Sequence, residues 1–222
     1  TLTAPDLRKP TVSELAAILQ IRGWSLFAGL EIAHRRGLLF TCTMKDDGAP
    51  REAWAITDPS SRAIQVRRID GQPWTWNKAK AWTLGGSDAT WPIGCSAIGE
   101  RAVVLFCEGG PDFMAAHGLA FEMDQAEQTA AVCMAGASAK ISAEALQYFA
   151  GKRVRIIEHN DEAGAQAGAR WAAQLRASGA IVDGYKCDHP HDDLADLYAA
   201  IKPESEALPH ELFNEIGGVS CR

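Results

Sequence analysis

The stretch that most constrains this chain is Arg101-Ala-Val-Val-Leu-Phe-Cys-Glu-Gly-Gly-Pro-Asp112. Its apolar run from Ala102 to Cys107, rich in β-branched and aromatic residues, is stopped at once by Glu108, Gly109, Gly110 and Pro111. Such a run predicts a short strand buried on both faces, as in a parallel sheet covered by helices. Pro111 suits the opening of the next helix, with Asp112 beside its positive N-terminal end. Ligands of open parallel sheets bind beyond the carboxyl ends of the strands, so Glu108 stands where chemistry is expected, its alternative being a solvated turn residue.

The same grammar repeats downstream. A helix over 112–117 leads to a strand at Thr129–Met134 that ends in Gly136-Ala-Ser138, and Ser142 caps a helix reaching Ala150. A third strand, Arg153–Ile157, runs into Glu158-His-Asn-Asp-Glu-Ala-Gly164 and a long helix to about Ser178, with Ala163, Ala167, Trp171 and Leu175 along one face. A fourth strand spans Ile181–Cys187, and Asp192 or Asp193 starts a last helix to Ile201. Strands alternating with helices predict an α/β fold with a Rossmann-like parallel sheet and flanking helices over residues 100–201. Residues 1–99 read differently: two helices ending near Gln20 and Arg36, then strands at Leu38–Cys42, Ala53–Thr57 and Ala63–Arg67 separated by Asp and Gly turns. They predict a small α+β subdomain, and residues 202–222 a loosely attached tail.

Charge divides along the same line. Residues 1–99 hold 12 Lys/Arg against 9 Asp/Glu, a balance of +3, and residues 100–222 hold 10 against 19, a balance of −9. An acidic half carrying a motif suggests metal binding, and the mildly basic half can meet a polyanion. The run Pro73-Trp-Thr-Trp-Asn-Lys-Ala-Lys-Ala-Trp82 interleaves aromatic and basic residues, as a surface that stacks nucleobases and neutralises phosphates would; equally, Trp74, Trp76 and Trp82 can pack under a hairpin with Lys78 and Lys80 solvated. Six scattered cysteines without a CxxC pair predict reduced thiols and a cytoplasmic protein. No leader pattern and no apolar run near ~18 residues is present, so neither a signal peptide nor a membrane span is expected. Opening at Thr1, the chain reads as a piece of something longer. Cys187, His189 and His191 alternate along one strand edge, but a closed zinc site wants a fourth ligand.

If the first and third strands are neighbours, Glu108 and Asp161 converge, and Asp193 or Asp196 can join them. Clustered carboxylates ionise cheaply only beside a cation, which calls for Mg²⁺ or Mn²⁺ and suits phosphoryl or nucleotidyl transfer. These segments resemble the Toprim domains of bacterial-type DNA primases, topoisomerases and some nucleases. Glu108-Gly109 with Asp112 is similar to the family's Glu-Gly motif, His159-Asn-Asp161 with Gly164 to its DxDxxG motif, Gly136 to a Gly-containing turn, and Asp192-Asp193-Leu-Ala-Asp196-Leu to the downstream acidic segment. Upstream, Arg22-Gly-Trp-Ser25 is similar to the Arg-Gly-x-Ser of bacterial primases.

The resemblance implies the catalytic core of a bacterial or phage-type DNA primase: metal-dependent RNA primer synthesis on single-stranded DNA from NTPs, with a replicative helicase as candidate partner. It implies catalytic roles for Glu108 and Asp161, metal ligation by these with His159, Asp193 and Asp196, and a grip on template or triphosphate by Arg67, Arg68, Lys78 and Lys80. His159 replaces the family's first acid. A Toprim nuclease, or a non-catalytic nucleic-acid-binding module of a phage or mobile-element replication protein, are the alternatives. No GxxxxGK[ST] sequence is present to mark a helicase engine.

Overall fold

The computed structural model describes residues 4–187, 191, 193–201 and 212. Its first helix, α1 (Val12–Arg22), opens on a capping box in which Thr11 and Glu14 exchange hydrogen bonds, and it stops at Gly23, whose φ of 67° is left-handed. After α2 (Ala28–Arg35) come β1 (Leu39–Asp46), β2 (Ala49–Ile56), β3 (Gln65–Arg68) and β4 (Ala81–Thr83). These form an antiparallel sheet in chain order. The predicted strands Leu38–Cys42 and Ala53–Thr57 are the paired ends of one longer hairpin turning at Asp47-Gly48, and β4 is an edge strand hidden in the tryptophan-rich run.

The second half follows the alternation read from the sequence: β5 (Val103–Glu108), α3 (Gly110–Glu122), β6 (Thr129–Met134), α4 (Ala143–Leu146), β7 (Arg153–Glu158), α5 (Glu162–Ala177), β8 (Ile181–Lys186) and α6 (Leu194–Ala200). The four strands are parallel in the order β6-β5-β7-β8. Chain order reverses between β5 and β7, and that crevice is where a doubly wound sheet takes its ligand. Helix α3 begins two residues before Asp112 and runs five beyond His117, because Gly118, Leu119 and Ala120 continue its buried face.

Residue parity assigns the two faces of the antiparallel sheet. Trp54 pairs with Arg67 and Ile56 with Gln65, so these four share the face turned to the parallel sheet. Cys42, Ala53, Ala55, Val66, Ile64, Leu84 and Trp74 form a separate small core on the other face. The main core is continuous from Leu15 and Ile18 through Trp54 and Phe106 to Trp171 and Leu194. The connecting segment is tied in at Ile93, which pairs with Cys133 of β6 through N···O contacts of 2.8 and 3.0 Å. Cys42, Cys95, Cys107 and Cys133 are buried free thiols, and Cys187 is also buried. No described helix is long and apolar enough to cross a membrane. Apart from Leu212, the predicted tail lies outside the described residues, as do His189 and Asp192.

Candidate active site

The turn leaving β5 is built to bring backbone close to the crevice. Gly109 has φ 88° and ψ 167°, a conformation open to glycine, and a Cβ on Gly110 would lie 2.9 Å from the Trp54 ring. Gln65 fastens this turn from the other sheet: its Oε1 accepts from the Gly110 amide at 3.2 Å, and its Nε2 donates to the Ala135 carbonyl at 3.2 Å. Glu108 is half-buried at the tip. Burial raises its pKa, Asp161 and Asp112 raise it further, and the positive His159 and an Ala137 amide act against them.

The centre of the acidic cluster is Asp112, 2% exposed in the first turn of α3. Its Oδ1 accepts from the Ala195 amide at 3.0 Å and its Oδ2 from His159 Nε2 at 2.7 Å. That hydrogen bond lifts His159 to about 9, against the opposing effect of burial. Asp193 caps α6 through the Asp196 amide at 2.8 Å, and burial followed by the charge of Asp112 raises its pKa. Ligand atoms of Asp112, His159 and Asp193 lie within 4.8 Å of one another, the one such group among the described residues. An open hollow of about 240 Å³ lies over His159, Asn160, Asp161 and Asp193. Carboxylate oxygens with one imidazole fit a divalent cation once that cation displaces the proton His159 shares with Asp112, the freed nitrogen favouring Mn²⁺ relative to Mg²⁺.

Other predicted ligands stand around this trio. Asp161 caps α5, accepting from the Gly164 amide at 2.6 Å, and Gly164 is required because a Cβ there would lie 2.8 Å from that of His159. Asp196 is exposed and contributes its amide to the cap. Glu158, one place before His159, turns its carboxylate towards Gly168 and Gly184 instead. Gly136 sits in the turn after β6, where a Cβ would meet nothing within 4 Å. Asn160 ties the site loop to the end of β8 by donating to the carbonyls of Cys187 and His191 at 3.0 and 2.8 Å. Of the alternating zinc-type residues, Cys187 is buried and His189 lies outside the described residues.

Two arginines face the carboxylates. Arg67 and Arg22 place their guanidinium carbons 5.9 and 6.0 Å from the centroid of the Trp54 ring. Arg67 Nε is buried without a hydrogen-bond partner. Burial lowers Arg67 to about 10, with Arg22 adding to the fall, and burial also lowers Arg22, whose attraction to Asp193, Asp112 and Asp196 opposes it. The adjacent Arg68 corrects the sequence expectation. A strand alternates its side chains, so Arg68 points to the opposite face, where it is buried and bridges to Asp46 at 2.7 Å and to Asp70. Lys78 and Lys80 are exposed, outside this cluster. Gln65, Trp54 and Arg22, which the structure brings to this crevice, were not singled out as candidate site residues from the sequence. Only Arg22 carried a signal, its place in Arg-Gly-Trp-Ser25.

No protein-family model matches the chain, and no curated protein matches it by sequence. Among solved structures, the primase fragment of the bacteriophage T7 primase-helicase protein superposes with a TM-score of 0.53 at 16% identity, covering 89% of this chain and 77% of that one. The Aquifex aeolicus primase, comprising its zinc-binding and RNA polymerase domains, matches at TM-score 0.46 and 16% identity over 86% of this chain and 46% of its own. T7 primase domains bound to an RNA/DNA hybrid and dTTP, in complex with the T7 lagging-strand DNA polymerase, match at 0.45 and 16% over 73% and 76%. The chain therefore has the fold of a primase fragment: a parallel four-stranded sheet flanked by helices, preceded by an antiparallel sheet.

Proposed function

We propose that this chain is the nucleotidyl-transfer core of a primase, making RNA primers on single-stranded DNA. The observation that carries the reading is the opposition of two charge sets across one crevice: Glu108, Asp112, Asp161, Asp193 and His159 on the parallel-sheet side, Arg22 and Arg67 over Trp54 on the other. The reaction forms a bond from a ribonucleotide 3′-hydroxyl to the α-phosphorus of an NTP and breaks the bond to pyrophosphate. Asp112, Asp193 and a deprotonated His159, with Glu108 and Asp161 beside them, would hold a divalent ion, which would supply neutralisation of the phosphate charge.

The chain's own residues supply the rest. Arg67 is desolvated and its Nε lacks a partner, so a polyphosphate oxygen satisfies both its charge and its open donor. Arg22 adds a second cation, and both guanidinium groups lie beside the Trp54 ring. Gln65 keeps the glycine turn in register with that wall, so carboxylates and arginines approach one substrate from opposite sides. By analogy with the phage protein, a replicative helicase is the proposed partner.

The test is incorporation of labelled NTPs on single-stranded DNA with Mg²⁺ or Mn²⁺, comparing wild type with Asp193→Asn and Arg67→Met. Template-dependent oligoribonucleotide that both substitutions reduce by ~100-fold supports the reading. Metal-dependent loss of DNA without NTPs assigns nuclease chemistry instead. NTP and DNA binding without either product leaves a recognition module.

A further inference from the structure

We propose that the tryptophan-rich loop between β3 and β4 is a stacking platform for single-stranded DNA, on the face of the antiparallel sheet opposite the acidic crevice. Trp74 is fully buried, and Trp76 lies on it with ring centroids 4.9 Å apart and planes 28° from parallel. Trp82 closes against Trp76 edge-on, at 4.8 Å and 76°. Trp76 nevertheless remains 46% exposed, a far larger fraction than packing under a hairpin requires. Trp74 Nε1 is buried without a partner, so this aromatic stack is kept at a cost in hydrogen bonding.

The platform is held rigid and flanked by free positive charge. The Trp74 amide donates to the Ala79 carbonyl and the Lys78 amide to the Trp74 carbonyl, both at 2.9 Å. Asp46 anchors the loop by accepting from the Thr75 amide at 3.0 Å. Lys78, held at φ 57°, and Lys80 are exposed, and no ion pair involves either among the described residues. The nearby acids Asp46 and Asp70 are already committed to Arg68. An exposed indole face on a loop that also carries two exposed lysines matches a base and its neighbouring phosphates, a pairing that tolerates any sequence because every base has a π-face.

The register gives the platform a direction. Val66 pairs with Trp82 and Arg67 with Ala81, so Trp82 and Arg67 project from opposite faces of adjoining positions. Strand β4 ends the sheet order, so DNA held at Trp76 lies on the side of the sheet whose free edge leads round to the Arg67 face. That direction rests on the primase reading above; the binding itself does not.

The experiment is fluorescence anisotropy of an oligothymidylate of about twelve nucleotides in EDTA, with an abasic oligomer of equal length beside it. Trp76→Leu, which keeps apolar bulk but loses the indole face, is expected to weaken the base-bearing oligomer by roughly 5- to 100-fold and the abasic one little. Trp76→Phe is expected to retain most of the affinity. Lys78→Gln and Lys80→Gln each lower the slope of log K against log salt by about 0.7. Unchanged affinity in Trp76→Leu, or no binding by wild type, overturns the platform. Primer synthesis by the same proteins separates the two readings. DNA held through Trp76 without primer made removes catalysis and keeps the platform; primer made with Trp76→Leu binding normally does the reverse.

Discussion

Asp58 offers the most quantitative check on how the two sheets are held together. It lies just past β2, is 2% exposed, and its Oδ2 accepts from Trp91 Nε1 at 3.1 Å, the Gly94 amide at 3.1 Å and the Ser96 amide at 3.3 Å. Those donors belong to the connecting segment that pairs with β6 at Ile93. One carboxylate thus pins the connection between the antiparallel sheet and the parallel one. Asp58→Ala strands these three donors, besides the Ser60 amide and hydroxyl from which its Oδ1 accepts; at about 1–3 kcal/mol for each of the three, partial rescue by water brings the expected loss to about 3–6 kcal/mol. Against a total stability of roughly 5–15 kcal/mol, and with a urea slope of about 3 kcal/mol/M for a chain of this length, that moves the urea midpoint down by about 1–2 M. Asp58→Asn keeps an acceptor and the shape, losing the charge-assisted part, and is expected to cost about 1–2 kcal/mol. Equilibrium urea unfolding of the three proteins is the assay, with amide exchange at Ile93 and Cys133 as a local readout. An Asp58→Ala midpoint within about 0.2 M of wild type would falsify the pin.

Neighbouring residues give sharper contrasts. Arg67→Met should abolish triphosphate binding while leaving the thermal midpoint nearly unchanged, whereas Arg68→Met should lower the midpoint and spare nucleotide affinity, because only Arg67 faces the crevice. Gly118→Ala drives a Cβ into the buried ring of Tyr198, whose hydroxyl donates to the Leu26 carbonyl at 3.2 Å. It should cost about 1–3 kcal/mol by calorimetry and loosen α6, and with it Asp193. Glu14, held at about 2 chiefly by its hydrogen bond from Arg8, lies below its ordinary 4.5. Its contribution is therefore fully present above about 4.5 and lost as pH falls towards about 2, and Arg8→Ala should return its carbonyl NMR titration to the ordinary range.

The parallel sheet was legible because its strands are short apolar runs stopped by acids and glycines, a pattern that depends on neighbours in sequence. The acidic tips at Glu108 and Asp161 were legible for the same reason. Asp112 was harder: an acid in the first helical turn satisfies the helix dipole, and nothing local says that it is buried under Ala195 and His159. Gln65, Trp54 and Arg22 reach the site from another sheet and another helix, so only tertiary docking assigns them. The pair Arg67-Arg68 shows the limit best. Alternation fixes that they diverge, but which of them meets the crevice depends on the pairing of Arg67 with Trp54. β4 escaped because three residues in an aromatic run carry no period.

His159 stands where the resemblance leads one to expect an acid, and its consequence for the site is measurable without any turnover. An imidazole nitrogen binds Mn²⁺ in preference to Mg²⁺ more strongly than a carboxylate oxygen does. The 2.7 Å bond to Asp112 and the shared proximity to Asp193 put that nitrogen among the oxygen donors rather than outside them. His159→Asp makes the donor set all oxygen, while adding a negative charge beside an already buried carboxylate. Two effects follow: the ratio of Mn²⁺ to Mg²⁺ affinity should fall by about 10-fold, and the metal-free protein should lose stability through repulsion with Asp112. Isothermal titration with each ion, and thermal melts in EDTA, read them independently. A fall in the ratio makes His159 a ligand. A destabilised metal-free protein with an unchanged ratio makes it a counter-ion that holds Asp112 in place, with the ion bound by oxygens alone.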